Sequence, residues 1–133
     1  MKKGLLYCDG GSRGNPGPSA AGWVLYDDAG KTIEKGGLYT GEQTNNFAEY
    51  TSLLEGMKLA LKHDVTELWV RMDSKLAVEQ MQGNWKVKHV NLKPLFEKSK
   101  AVEEEFEKVH FSHVRREKNT VADAMVNEVL DRL

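Results

Sequence analysis

Four acidic residues lie at the ends of apolar segments or at the starts of helical ones. At such places a carboxylate can reach solvent or a metal ion. Asp9 and Asp73 each follow a strongly apolar segment and precede a break in it. Glu49 and Asp123 each fall in the first turn of a segment with helical periodicity. Burying an unpaired carboxylate is unfavourable, and open α/β sheets bind ligands at the carboxyl ends of their strands. If the two strands are neighbours, the four carboxylates would converge at one edge of a sheet.

Carboxylates gathered in this way would repel one another. Two unit charges about 5 Å apart at an effective dielectric of ~20 cost roughly 3 kcal/mol, so several such pairs require raised pKa values or bound cations. Oxygen ligands without His or Cys favour Mg²⁺, with Mn²⁺ as the alternative, over zinc. Two such ions about 3.5–4 Å apart would activate a water molecule and stabilise the leaving oxygen of a phosphodiester. The chemistry indicated is metal-dependent phosphodiester hydrolysis.

Each of these acidic residues also has an ordinary structural interpretation. Asp9 before two glycines suits a turn, and Asp73 could simply end a strand. Glu49 and Asp123 would be stabilised by the dipole of the helix that each begins. Composition and periodicity alone do not show that the four residues meet.

Hydrophobic periodicity predicts the elements that would position these residues. We predict strands at residues 4–9, 20–26, 31–39, 67–72 and 109–115, and helices at residues 46–62, 75–82, 94–106 and from 120 onward. The first strand is apolar on both faces, which indicates a central strand. Ser74 is predicted to cap the second helix, and Thr120 with Asp123 to form a capping box on the last one. The order of elements predicts an α/β sheet with an antiparallel hairpin and right-handed crossovers.

Composition sets the broad class. A length of 133 residues with 40% hydrophobic content suits a single domain over residues 1–133. No stretch approaches the roughly 20 apolar residues of a membrane span, and Asp9 breaks the N-terminal apolar run too early for a signal peptide. Cys8 is the single cysteine, which fits a reducing, cytoplasmic location. We expect a monomer, because no extended apolar stripe is left over.

The charge distribution is uneven. A net charge of −1 argues against a protein that coats nucleic acid, yet basic residues cluster at 86–100 and at 115–118. A solvated helix face explains most such runs. Basic patches beside an acidic centre are nevertheless compatible with a metal-using nuclease.

Segments around the four carboxylates carry a resemblance to a known family. They are Tyr-Cys-Asp-Gly-Gly-Ser-Arg-Gly-Asn-Pro-Gly-Pro at 7–18, Thr-Asn-Asn-Phe-Ala-Glu at 44–49, Asp-Ser-Lys-Leu at 73–76 and Asn-Thr-Val-Ala-Asp at 119–123. The sequence resembles a type 1 ribonuclease H over nearly its whole length. The resemblance implies a ribonuclease H-like fold with a five-stranded mixed sheet flanked by helices. It also implies a divalent-metal-dependent endonuclease that hydrolyses the RNA strand of RNA–DNA hybrids, with Asp9, Glu49, Asp73 and Asp123 as catalytic residues and metal ligands.

The resemblance also implies a substrate surface. Glycine-rich residues 10–14 let the backbone approach the RNA strand, where the 2′-hydroxyl is recognised, although Gly-Asn-Pro-Gly is equally good turn sequence. Lys75 departs from the polar amide expected after Asp-Ser, so its contact with the DNA strand is in doubt and a phosphate contact is the alternative. The candidate substrate-binding residues are Gly10, Gly11, Ser12, Arg13, Asn15, Asn45, Asn46, Ser74, Lys75, Trp85, Lys86, Lys88, Arg115 and Arg116.

Two departures from the family pattern matter. The basic insertion that many members carry near residues 83–94 is absent, as in the short archaeal-like subgroup, so we expect weak and salt-sensitive binding. Trp85 could stack on a sugar or simply pack in its loop. The loop histidine that precedes the fourth carboxylate is also missing; Arg115 or Arg116 could take its place at the phosphate. His110 and His113 fall in a predicted strand, where a structural role is expected.

Two other functions remain open. A nuclease of the same fold could act on double-stranded RNA or on junction DNA, since fold does not fix function. A non-catalytic hybrid-binding module is the second alternative, although four intact carboxylates argue against it.

Overall fold

The computed structural model describes residues 2–133, which fold into one mixed five-stranded sheet with helices against both faces. The strands are β1 (Lys3–Ser12), β2 (Gly17–Asp27), β3 (Thr32–Gln43), β4 (Glu67–Met72) and β5 (Lys108–His113). The helices are α1 (Asn45–Lys62), α2 (Lys75–Met81), α3 (Lys93–Glu103) and α4 (Thr120–Asp131), and a 3₁₀ turn spans Arg116–Lys118. The sheet order is β3-β2-β1-β4-β5, antiparallel across β3-β2-β1 and parallel across β1-β4-β5. The predicted order and the mixed sheet are confirmed.

The centre of the fold is β1, as its two apolar faces predicted. Leu6 and Cys8 are fully buried on the face that α1 covers. From α1, Tyr50, Leu53 and Met57 follow at three- and four-residue spacing and are also fully buried. This layer between α1 and the sheet forms the main hydrophobic core. It holds the first turn of α1 firmly against the end of β1.

Helix α4 packs against the opposite face, where the strands carry glycine. A Cβ atom at Gly22 of β2 would overlap the carbonyl oxygen of Ala122 and lie 2.9 Å from Met125 Cβ. At Gly37 of β3 it would lie 2.8 Å from Val129 Cγ2. The helix therefore lies directly on strand backbone, closer to the sheet than side chains would allow.

The glycine-rich turn is shorter than predicted. Gly10, Gly11 and Ser12 continue β1, because they pair in register with Ala21, Ala20 and Ser19 of β2. Only residues 13–16 form the connection, which Arg13 N–H closes by donating to Pro18 O at 2.8 Å. Pairing with β2 also extends β3 to Gln43, beyond the predicted end at residue 39.

Several element ends also differ from prediction. Helix α3 ends at Glu103, and Phe106 lies buried in the connection to β5. Strand β5 ends at His113, so Arg115 lies beyond it. The capping box at Thr120 is wrong: Asn119 is the N-cap residue, with no side-chain hydrogen bond to the helix. The predicted Ser74 cap is confirmed, since its Oγ accepts from Ala77 N–H at 3.2 Å.

The helices of residues 2–133 include none that combines the length and the apolar character needed to cross a membrane.

Candidate active site

Two parallel strands bring the first pair of carboxylates together. Cys8 of β1 pairs with Met72 of the parallel neighbouring strand β4. Asp9 and Asp73, which follow these two residues, therefore lie side by side toward the carboxyl ends of the strands. The strands that carry Asp9 and precede Asp73 are therefore neighbours, which convergence of the carboxylates requires.

Helix α1 supplies the third carboxylate at very close range. Gly10 N–H donates to Glu49 Oε1, and a Cβ atom at Gly10 would overlap the backbone of Ala48 and Glu49. The absence of a side chain at Gly10 is what lets the helix touch the strand. As a result, one carboxylate oxygen from each of Asp9, Glu49 and Asp73 lies within 4.8 Å of the others.

Asp123 approaches from the other face of the sheet. It is half-buried in the first turn of α4 and accepts from Asn127 Nδ2 at 3.3 Å. Within residues 2–133 it lies outside the group of three, yet it borders the same open cleft of about 530 Å³. The cleft is lined by Asp9, Gly10, Gly11, Ser12, Arg13, Asn45, Asn46, Glu49, Asp73, Ser74, Arg116, Asp123, Val126, Asn127 and Leu130.

The site strongly disfavours a full set of negative charges. Burial raises the pKa of Asp9 to about 8, the hydrogen bond with Glu49 opposes this rise, and Asp73 and Asp123 add to it. Burial, followed by the charge of Asp9, also raises the pKa of Glu49 well above its ordinary value. Two carboxyl groups this close titrate as a pair that retains a proton.

A divalent cation fits this donor set. Within residues 2–133, Glu49 Oε2 is buried without a hydrogen-bond partner, which is unfavourable unless a proton or cation satisfies it. Hard oxygen donors at close range are the ligands that Mg²⁺ and Mn²⁺ prefer. A cation bound here would relieve the repulsion and satisfy the orphaned oxygen at once.

The raised pKa values predict how stability depends on pH in the metal-free protein. Between the unfolded-state pKa of about 3.9 and the folded-state value of about 8 for Asp9, the folded protein binds more protons than the unfolded chain. The free energy of unfolding should therefore fall as pH rises from 5 to 8. The decrease should be roughly 1.4 kcal/mol per pH unit for one extra proton bound by the folded protein. Urea unfolding in EDTA measures this slope. Asp9→Asn should flatten it, and equal slopes in both proteins would contradict the prediction.

Several residues support the carboxylates, and for Asn119 and Asn127 the sequence predicted no role. Asn119 is buried, and its Nδ2 donates to Cys8 O at 2.7 Å, just before Asp9. Its own carbonyl accepts from Asp123 N–H at 3.1 Å, so it links β1 to the start of α4. His113 Nε2 lies 3.2 Å from Asp73 O. Asn127, one helical turn after Asp123, could have been found from its spacing.

Comparisons with known proteins decide the family. Residues 7–129 match the profile of the family described as "Reverse transcriptase-like". A solved ribonuclease H1 from Halobacterium salinarum superposes with a TM-score of 0.95 at 36% identity, covering 98% of this chain and 99% of that one. The chain belongs to the type 1 ribonuclease H family.

Other ribonuclease H relatives agree. The bifunctional protein Rv2228c of Mycobacterium tuberculosis is 42% identical over 97% of this chain, which spans only 36% of that protein's length. Its solved N-terminal RNase H domain superposes with a TM-score of 0.96 at 41% identity, covering 99% of this chain and 96% of that one. LC11-RNase H1, solved in complex with an RNA/DNA hybrid, superposes with a TM-score of 0.91 at 43% identity, covering 97% of both chains.

The substrate contacts implied by the ribonuclease H resemblance separate into two groups. Eight of them line the cleft: Gly10, Gly11, Ser12, Arg13, Asn45, Asn46, Ser74 and Arg116. The other six lie outside its lining: Asn15, Lys75, Trp85, Lys86, Lys88 and Arg115. The roles of all these residues as substrate contacts stay predictions.

The asparagines also hold the turn in place. Asn45 Oδ1 accepts from Ser12 N–H at 2.8 Å, and Asn15 Oδ1 accepts from Asn45 N–H at 3.1 Å. Arg13 forms an ion pair with Asp131 on α4. The turn is thus anchored to both helices that flank the site, so its structural interpretation is at least part of its role.

The structure also places Trp85 and His110. The Trp85 side chain is 46% exposed, with Lys75 Nζ 6.0 Å from its ring centroid, so it is available for contact and is not core packing. His110 lies 2.8 Å from a Glu67 carboxylate oxygen and stacks on Trp69 at 4.6 Å between ring centroids. This pairing accounts for His110 as a structural residue.

Arg116 is better placed than Arg115 to act at a phosphate. Arg116 lines the cleft, whereas the Arg115 side chain is 84% exposed and lies 4.0 Å from Glu117. Arg116→Ala should therefore lower turnover about tenfold, consistent with loss of one charge-assisted hydrogen bond, and more than Arg115→Ala does. Steady-state cleavage of a labelled hybrid measures both. Unchanged rates in both variants would remove arginine from this role.

Proposed function

We propose that this protein is an endonuclease that hydrolyses the RNA strand of RNA–DNA hybrids with divalent cations, Mg²⁺ first and Mn²⁺ as an alternative. The observation that carries the proposal is the group of Asp9, Glu49 and Asp73, whose oxygens lie within 4.8 Å of one another in an open polar cleft. LC11-RNase H1, 43% identical and solved with an RNA/DNA hybrid, supports the choice of substrate.

The protein's own contribution to the reaction is preorganisation. When bound, divalent cations would supply charge neutralisation at the scissile phosphate and a lowered pKa for the attacking water. Asp9, Glu49 and Asp73 would hold one such cation. Asp9 interacts with both Glu49 and Asp123, so it is the carboxylate suited to join the group of three to the fourth residue. Because the fold fixes these groups beforehand, little reorganisation is needed during reaction.

The walls of the cleft suit an RNA strand. The half-buried carboxyl end of β1 at Gly10–Ser12, with Asn45 and Asn46 from the start of α1, lines the cleft with neutral polar groups. Such groups suit sugar hydroxyls and base edges in a shallow minor groove, where the 2′-hydroxyl distinguishes RNA from DNA. Arg116 would add one positive charge for a phosphate.

A cleavage assay tests the proposal. Purified protein is incubated with end-labelled RNA–DNA hybrid, RNA duplex and DNA duplex, each with Mg²⁺, Mn²⁺ or EDTA. We expect cuts within the RNA strand of the hybrid, none in the DNA duplex and none in EDTA. Cleavage of the RNA duplex would broaden the substrate class. Folded protein that leaves the hybrid whole with every ion would overturn the proposal, and binding without cleavage would favour the non-catalytic alternative.

Two further properties belong to the same proposal. We propose a cytoplasmic monomer, and the mass of the purified protein in solution at assay concentration tests the oligomeric part.

A further inference from the structure

A hydrogen-bond chain runs from α1 to the short basic loop, defined as residues 83–91. Tyr50 follows Glu49 on α1, and its hydroxyl donates to Gln80 Oε1 at 2.6 Å. Gln80 lies on α2 with 4% of its surface exposed. Its Nε2 in turn donates to the carbonyl oxygen of Lys86 at 3.2 Å. One buried amide thus joins α1, α2 and the basic loop.

The basic loop has few other attachments. At its start, Asn84 N–H and Trp85 N–H both donate to Glu79 O, at 2.9 and 3.3 Å. Beyond Trp85, within residues 2–133, two hydrogen bonds tie 86–91 to other elements: Gln80 Nε2 donates to Lys86 O, and at the far end Lys93 N–H of α3 donates to His89 O at 3.3 Å. Val87 adds an apolar contact with the core. Between those two attached ends, the backbone that carries Lys86 and Lys88 is held by the Gln80 hydrogen bond and the Val87 contact.

The loop presents cationic and aromatic groups to solvent. Trp85, Lys86 and Lys88 are all exposed, and Lys75 Nζ lies over the Trp85 ring. Lysine side chains lose rotamer freedom when they bind, and a mobile backbone would add to that cost. With so few charges available in a short loop, their fixed placement has a large share in affinity.

We propose that Gln80 is a positioning residue that holds the basic loop where Lys86 and Lys88 meet the phosphates of the substrate, an inference that rests on the proposed function. The chemistry requires glutamine at this point. Its oxygen satisfies the buried Tyr50 hydroxyl and its nitrogen satisfies the partly buried Lys86 carbonyl, and a polar group left unpaired in such a place is unfavourable. An apolar side chain of the same length would leave both partners unsatisfied and release the loop.

The test compares two glutamines near the end of the same helix. Gln80→Met removes the link. Gln82→Met is the matched control, since the exposed Gln82 donates its amide to Phe111 O on β5, away from the loop. We expect Gln80→Met to raise KM for the hybrid about fivefold, through the loop-ordering cost, with kcat within about twofold of wild type. The slope of log KM against log salt concentration should decrease by about one for each phosphate that the loop no longer neutralises. Gln82→Met should change none of these.

A double-mutant cycle separates positioning from a general structural role. In a Lys86→Ala, Lys88→Ala background, Gln80→Met should have no further effect on KM, because the charges it places are gone. Equal effects in both backgrounds would overturn the proposal, as would an unchanged KM or a loss confined to kcat. If Gln80→Met does not fold, Gln80→Glu retains the acceptor for Tyr50 and loses the donor to Lys86, so the same KM effect is expected.

A second readout is independent of catalysis. Hydrogen exchange of the backbone amides of Asn84 and Trp85, whose hydrogen bonds to Glu79 O close the start of the loop, should be faster in Gln80→Met than in wild type and in Gln82→Met. If the wild-type protein does not cut the hybrid, the proposed function fails while this measurement still reports on the loop. If the wild type cuts and the loop exchanges equally in all three proteins, only the positioning role fails.

Discussion

Replacement of Asp9 by asparagine is expected to abolish cleavage while leaving the metal-free protein at least as stable as wild type. Asp9 is 6% exposed, and both Asp73 and Asp123 raise its pKa. Removing its charge takes away a cation ligand and relieves repulsion at the same time. We expect turnover to fall roughly a thousandfold or more, as for loss of a preorganised charge-stabilising group. Cleavage with Mg²⁺ and with Mn²⁺, and urea unfolding in EDTA, measure the two effects.

Asp28→Asn is the matched control for this experiment. Asp28 is exposed in the connection between β2 and β3, away from the cleft, so the same chemical change there should leave turnover and stability near wild type. An Asp9→Asn protein that unfolds in EDTA at lower urea than wild type, or that cuts at the normal rate, would contradict the prediction.

Replacement of Gly10 by alanine is expected to lose both stability and activity. The added methyl group would overlap the backbone of Ala48 and Glu49, and backbone cannot move aside as a side chain can. Either α1 must move away from β1 or the strand must distort, and in both cases Glu49 leaves its position. Overpacking of this kind typically costs about 1–3 kcal/mol, and we expect the upper end of that range. Urea unfolding and steady-state cleavage provide the measurements.

Gly11→Ala serves as the stability control. There the added methyl group would meet Val126 Cγ1 at 3.4 Å, an ordinary van der Waals contact. We expect its free energy of unfolding to stay within about 0.5 kcal/mol of wild type. If Gly10→Ala were as stable as Gly11→Ala and as active as wild type, the contact between α1 and β1 would not control the site.

Local patterns were sufficient to predict the elements. Alternation and 3.6-residue periodicity act over a few residues, and they predicted the order of strands and helices as well as the central position of β1. They could not show that β1 lies beside β4, because nothing in either segment specifies its neighbour. The approach of Asp9 to Asp73 therefore depended on the family resemblance until the parallel pairing was seen.

The errors have a common physical cause. Gly10 and Gly11 have the composition of a turn, yet both pair as strand with β2, and at Gly10 the packing of α1 requires bare backbone. Asn119 looked like an ordinary residue before a helix, but its amide bonds the carbonyl of Cys8, 111 positions away. Tyr50 and Gln80 meet across two helices. Contacts of this kind exist only after the chain has packed, so no window along the sequence could predict them.

The glycines beneath α4 have a consequence for how variants of this protein should be interpreted. Gly22 and Gly37 set the height of α4 above the sheet, and with it the reach of Asp123 toward Asp9. A methyl group at either glycine would act as a wedge, tilting the fourth carboxylate away although every reactive group is still present. In an activity screen such a variant would look like the loss of a catalytic residue. The cause would instead be an increased distance between α4 and the sheet.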